Sequence, residues 1–447
     1  MNPGRMLIAS VVLAGLALAV VWSNWSEKAK QGKPSADTPP KILSIKEDQV
    51  KQIDIKRRTG ESTTVKFNDS GRWQITSPQA LDADAGAVAA ITSASANLNA
   101  ERVVDENATD LASYGLAPPL LEVDITTKDA KTNKLLLGEN TPAGNGVYAK
   151  LDGDPRLFTT GSFNKSTFDK VAKDLRDKRL LKFDQEKISR IEYTAKKQTF
   201  EFGKTGANDW QIVKPKPMRV DASLMEGLVI KLKAASMDTS GAEEDAKKAA
   251  AAFSSAPAVA VAKVTDPGGT ETLEVRKAKD TYYAKSSVVD GIVKLSKDMG
   301  DSLDQSPGDF RNKKIFDFGF NDPTRIEVKD GAKNAVYEKS GEKWTSAGKT
   351  TDGVSIQAFI DKLRDLSATK FPETGFTTPA VTLTVVSNGG KRTEKVEIAA
   401  AGTGFIARRE GEPSLYELDA NAVKDLRQAA GDIRDAEPEK KQPEKKK

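Results

Sequence analysis

At 447 residues the chain is long enough for about three domains of ordinary size. Its 69 basic residues nearly balance its 64 acidic ones, a net charge of +5 that is too even for a nucleic-acid partner, which calls for a concentrated basic face. Cysteine and histidine are both absent, which excludes disulfides, an acylated lipobox, thiolate or imidazole metal sites and the usual general base near neutral pH.

The low aromatic content of 6% and the charged content of 30% suit small sheets with much solvated surface. Met6 to Trp22 is uncharged, between Arg5 and the Glu27, Lys28, Lys30 group. As a helix it spans about 25 Å, enough for a bilayer core, and Trp22 and Trp25 suit the headgroup interface. Residues 1–25 therefore read as an uncleaved signal-anchor with the bulk of the chain on the periplasmic side of a bacterial cytoplasmic membrane. A signal peptide cleaved near Ala17-Leu18-Ala19 is the rival. Residues 26–41, rich in Lys, Pro and Ser, read as a flexible tether.

Beyond the tether the sequence repeats. Asp174-Leu175-Arg176-Asp177-Lys178 is answered by Asp309-Phe310-Arg311-Asn312-Lys313, an offset of 135 residues that continues into Arg190-Ile191-Glu192 and Arg325-Ile326-Glu327. A period this long marks duplicated domains, since solenoid units run to about 20–50 residues. Trp73, Trp210 and Trp344 recur at matching places, each followed by an Asp (Asp84, Asp221, Asp352) and an amphipathic run. An Asp there caps free N–H groups at a helix start.

Each run leads through a proline turn (Pro118, Pro257, Pro379) to an alternating strand such as Leu121, Val123, Ile125 or Val381, Leu383, Val385. A strand pair around a Gly-containing turn follows, then a further strand and a closing helix, Phe168 to Lys178 in copy one and Ala422 to Ile433 in copy three. The second copy has drifted most, and its Ala, Lys and Glu-rich stretch over 241–252 reads as a surface helix or loop. The fold class is therefore α+β: three tandem repeats, each an antiparallel sheet with two helices on one side, behind one transmembrane helix. The divisions are repeat domains 42–182, 183–317 and 318–435, and a disordered charged tail over 436–447.

The Trp strand with Pro78 and its Asp-capped helix, Tyr114-Gly115-Leu116 with its prolines, Leu137-Gly138 before Val147-Tyr148-Ala149, and Arg176-Asp177-Lys178 resemble the bacterial domain-of-unknown-function family numbered 4340. The likeness covers nearly all of copies one and two and, more weakly, copy three. Members share one N-terminal anchor and tandem repeats, and tend to be encoded beside ABC-transporter permeases and gliding-motility-type auxiliary subunits. The resemblance implies an envelope role beside such a partner; it supplies no catalytic residues.

Each conspicuous motif has a structural explanation. The turn Gly138 to Gly146 lacks the Lys-Ser/Thr of a phosphate loop and lies between strands, so it reads as a hairpin. Trp73, Trp210 and Trp344 sit beside alternating apolar residues and read as packing, with stacking on sugar rings as the alternative. Arg176 and Arg311 read as inter-repeat residues reaching carboxylates or carbonyls of the neighbouring copy. Asp48, Asp54 and Asp69 lack calcium-loop spacing.

No catalytic, cofactor or metal residue emerges. The expected function is a non-catalytic accessory or scaffold subunit of an ABC-type transporter complex, its copies available for multivalent contact. A peptidoglycan- or polysaccharide-binding module is the alternative, and a carboxylate-based hydrolase the remote one. Features present in all three copies are best explained as fold determinants. A specific function belongs in what the copies do not share, or in their junctions.

Overall fold

The computed structural model describes residues 39–206, 209–241, 244–320 and 323–437. The expected anchor with Trp22 and Trp25, nearly all of the tether, and the tail beyond residue 437 lie outside them. Among the described residues no helix is long and apolar enough to cross a membrane. The chain divides into two compact units at Lys178/Arg179.

The first unit is built on a nine-stranded antiparallel sheet. In spatial order it runs Leu81–Asp82, Trp73–Ser77, Thr63–Phe67, Val50–Arg57, Leu121–Thr127, Thr132–Asn140, Gly146–Leu151, Leu157–Gly161 and Arg102–Asp105. Alternation decides which face is buried. Leu121, Val123 and Ile125 point into the core, whereas Glu122 and Asp124 point the other way and pair with Lys56 at 2.9 and 2.6 Å. Helix Ala85–Ala96 covers the apolar face through Val88 and Ile91. It starts at Asp84, whose carboxylate accepts from the N–H groups of Gly86 and Ala87.

The expected single closing helix is instead two short ones, Ser162–Phe168 and Ala172–Leu175. The break falls at Asp169, whose carboxylate accepts from Arg57 Nε at 2.5 Å, and the next turn restarts where Asp174 accepts from the Val171 N–H.

The second unit contains two sheets with the same strand order. One runs Met218–Arg219, Trp210–Lys214, Gln198–Lys204, Arg190–Ala195, Ala258–Asp266, Gly269–Ala278, Thr281–Ser286, Ile292–Leu295. The other runs Lys349–Thr350, Lys343–Ser346, Lys333–Ser340, Arg325–Asp330, Val381–Ser387, Arg392–Ala401, Gly404–Arg409, Leu415–Leu418, with Ala368–Lys370 added at the edge. Each sheet has its own core, and the changeover falls between Phe310 and Ile315.

The second copy keeps two helices on its main core, Ala222–Ala234 and the short Lys297–Ser302, and adds a third on the other face. Helix Ala222–Ala234 buries Met225, Leu228 and Leu232 against the main core. Helix Ala246–Ser255 forms a separate small cluster through Ala249 and Phe253 with Tyr283. Successive strand residues face opposite sides, so Tyr282 enters the main core while Tyr283 receives the extra helix on the other face. Arg276 secures that helix end by donating to the carbonyls of Phe253, Ser254 and Ala256.

The most repetitive segment has one structural task. In the first unit Arg176 bridges Ala83, and the N–H groups of Asp84 and Asp177 donate to Leu175 O and Asp82 O. In the second unit Arg311 bridges Val220 in the same way, with Asp221 N–H on Phe310 O and Asn312 N–H on Arg219 O. Asp435 does this for Thr351. The segment satisfies backbone groups that would otherwise be exposed along the sheet edge and holds the start of the Asp-capped helix.

Candidate functional site at the junction of the second and third sheets

Arg219 occupies the edge strand of the second sheet, opposite Gln211. The same register holds Asp82 opposite Gln74 in the first sheet and Thr350 opposite Thr345 in the third. An arginine stands here where the other copies carry an aspartate and a threonine, so its partners are particular to this junction.

The Arg219 side chain is only 17% exposed. Its Nη1 donates to Asp317 Oδ2 at 2.6 Å, its Nη2 to Lys314 O at 2.5 Å and to Tyr416 Oη at 3.2 Å, and its Nε to Glu412 Oε2 at 3.2 Å. Asp317, Glu412 and Tyr416 lie beyond the core changeover and Lys314 lies within it, so one guanidinium fork ties the edge of the second sheet to the third copy.

The acceptors are tied in turn. Tyr416, 1% exposed, donates to Glu412 at 2.6 Å. Arg409 donates to Glu412 at 2.7 Å, to Glu394 at 3.1 Å and to the Ile315 carbonyl. Asp317 accepts from Asn312 at 3.0 Å, and its own N–H donates to Glu394 Oε1 at 2.8 Å.

Burial and charge act together on Arg219 and Tyr416. Burial opposes the charged form of Arg219, but Tyr416, Asp317 and Glu412 outweigh it and hold the guanidinium above its ordinary value. Burial pushes the Tyr416 phenol up to about 12, against the pull of Arg219 and with help from Glu412. The carboxylates face arginines, an amide, a phenol or a backbone N–H. Glu394 Oε2 is the exception, buried with no hydrogen-bond partner among the described residues. The chemistry of this arrangement is mutual: its charged groups hold two copies in one register.

Arg311 lies beside the cluster. Its guanidinium sits 3.6 Å over the Phe371 ring and donates to Ser414 Oγ at 3.2 Å. It therefore does reach the third copy, but onto a hydroxyl and an aromatic face rather than the expected carboxylate or carbonyl. Desolvation lowers its pKa from the ordinary arginine value, and its Nε is buried without a hydrogen-bond partner among the described residues, as is that of Arg176.

The remaining predicted positions stay within their own copies. Asp84, Asp221 and Asp352 accept from N–H groups of the helix first turn. Trp344 is buried in the third core, and Trp73 and Trp210 are half-buried against theirs. The Gly-rich turn joins two antiparallel strands, and a Cβ on Gly138 would fall 2.1 Å from the Tyr114 carbonyl oxygen, so this glycine serves close backbone approach. Among the described residues no group of three or more carboxylates is placed to hold a metal ion.

The cluster residues Arg219, Asp317, Glu394, Arg409, Glu412 and Tyr416 were not singled out by sequence. The available signal was the mismatch at one register position, Asp82, Arg219, Thr350.

No curated protein and no solved structure matches this chain. A model of the family described as "Domain of unknown function (DUF4340)" matches residues 73–252 and again 210–384. The two matches begin at Trp73 and Trp210, equivalent positions in consecutive sheets, so the chain meets one family pattern twice. With more than half of its length covered, the chain belongs to the DUF4340 family.

Proposed function

We propose that this chain is a non-catalytic, membrane-anchored scaffold of the bacterial envelope, an accessory subunit of an ABC-type transporter complex. Residues 6–22 supply the single span, and the three copies stand on the periplasmic side as binding units. The observation that carries the reading is the junction around Arg219. A cluster of arginines and carboxylates is spent on fixing one copy to the next, as suits a protein that transmits position rather than turns over a substrate. The recurrence of Trp, Asp cap and hairpin as fold determinants points the same way, because a single active site has no need of three copies. The transporter partner rests on the family resemblance.

Affinity capture of the full chain from gently solubilised membranes tests this. The expected result is co-purification of an ABC permease or auxiliary membrane subunit. Recovery of the chain without any membrane partner would remove the accessory role.

A further inference from the structure

Trp210 differs from its two counterparts in what covers it. Trp344 is buried at 6% exposure. Trp73 is met edge-on by Phe67, with ring centroids 5.3 Å apart. At the position of Phe67 the second copy has Lys204, its ammonium 5.4 Å over the Trp210 indole. Trp210 packs on the core beneath it and also lines a surface cleft of about 370 Å³.

The other walls mix polar and apolar side chains and come from two elements. The helix Ala222–Ala234 contributes Glu226 and Val229, and the turn before the second sheet contributes Gln185 and Glu186. Lys233 Nζ donates to Gln185 Oε1 at 3.2 Å and links helix to turn. Counting from the capping Asp, Glu226 corresponds to Ala89 in the first copy and to Gln357 in the third, whose amide is engaged with Asp361. The second copy alone joins an accessible indole with a carboxylate at this helix position.

We propose that this cleft is a saccharide subsite that takes a pyranose ring of a neutral or amino-sugar glycan. An indole face offers a flat apolar platform for the C–H face of a sugar. Glu186, Glu226 and Gln185 offer acceptors, and Gln185 and Lys204 donors, to ring hydroxyls or an acetamido group. The volume falls at the small end of ligand pockets, about 300–1,000 Å³, which suits one or two rings. Glu186 and Glu226 are balanced by the ammoniums of Lys204 and of Lys233 behind Gln185, which suits an uncharged or amino-sugar ring. The Lys204 tip swings aside as a ring settles on the indole. This site goes beyond the accessory role and does not depend on it.

The test is fluorine NMR of the full chain, in detergent and labelled with 5-fluorotryptophan, titrated with an N-acetylglucosamine oligomer. The Trp210 resonance, assigned by its loss in Trp210→Phe, shifts saturably in the millimolar range while that of Trp73 stays put. Glu226→Ala, at an exposed helix position, weakens binding about fivefold by removing one hydrogen bond, with the Trp73 and Trp344 resonances of the free protein unchanged. An immobile Trp210 resonance up to about 10 mM sugar overturns the proposal. So does a response to tetramethylammonium but not to the sugar, which would make the cleft a cation site.

Discussion

Arg219→Ala removes a guanidinium that donates to Asp317, Glu412, Tyr416 and the Lys314 carbonyl. Asp317 and Glu412 would remain in place with Arg409 as the nearest cation, 3.7 and 2.7 Å away. Breaking a buried charge pair by deleting one partner costs about 3–5 kcal/mol. The partial exposure of Arg219 and the compensation from Arg409 place this case near the lower end, about 3 kcal/mol, or roughly a 150-fold change in an opening equilibrium. Hydrogen exchange read by mass spectrometry localises the loss. Peptides spanning 309–318 and 405–418 should exchange faster by up to that factor, whereas peptides over 63–77 in the first unit should not change. Unchanged exchange at the junction, or equal acceleration in the first unit, would refute the assignment of Arg219 as the tie between the second and third sheets.

Arg427→Ala, which removes an exposed pair with Asp330, should cost less than about 1 kcal/mol in urea unfolding; a larger loss would mean that surface pairs carry more of this fold than argued. Asp84→Ala, Asp221→Ala and Asp352→Ala should each cost about 1 kcal/mol in the same assay and leave partner capture intact, and loss of capture with folding preserved would make the caps functional. Gly138→Ala should lower the thermal midpoint of the first unit sharply, because the new methyl meets the Tyr114 carbonyl; a neutral result would contradict the close approach there. With no histidine in the chain, stability should be flat between about pH 6 and pH 8. Tyr416 predicts an alkaline loss: its neutral form is favoured up to about 12 in the fold against about 10 unfolded, so its contribution is full below about pH 10 and disappears toward pH 12, on the order of 2 kcal/mol. Alkaline unfolding of Tyr416→Phe should lack that component, and identical curves would remove the argument.

What was legible in the sequence is what local chemistry decides. Alternation at Leu121, Val123 and Ile125 gave the strand and its buried face, and an Asp before an apolar run gave three helix starts, because both depend on neighbours within a few residues. The shared succession of strands and helices followed from repetition, whereas the order of strands within each sheet did not. What escaped depends on long-range partners. The break in the first closing helix is set by Arg57 reaching Asp169, 112 residues away in sequence. The helix Ala246–Ser255 lies on the unexpected face because Tyr283 and Arg276, on distant strands, receive it. At the junction, Arg311 was visible because it repeats and Arg219 was overlooked because it does not. Its partners Asp317, Glu412 and Tyr416 lie 98 to 197 residues away, a separation that no periodicity reports.

The same contrast organises the functional reading. Repeated positions build three sheets, and the positions that differ build the junction at Arg219 and the cleft at Trp210. In-cell crosslinking with mass spectrometry on the full chain tests whether the proposed scaffold is held against a membrane transporter. The expected result is crosslinks from residues of the three copies to an ABC permease or its auxiliary subunit. Crosslinks confined to the chain itself, or only to soluble proteins, would contradict it.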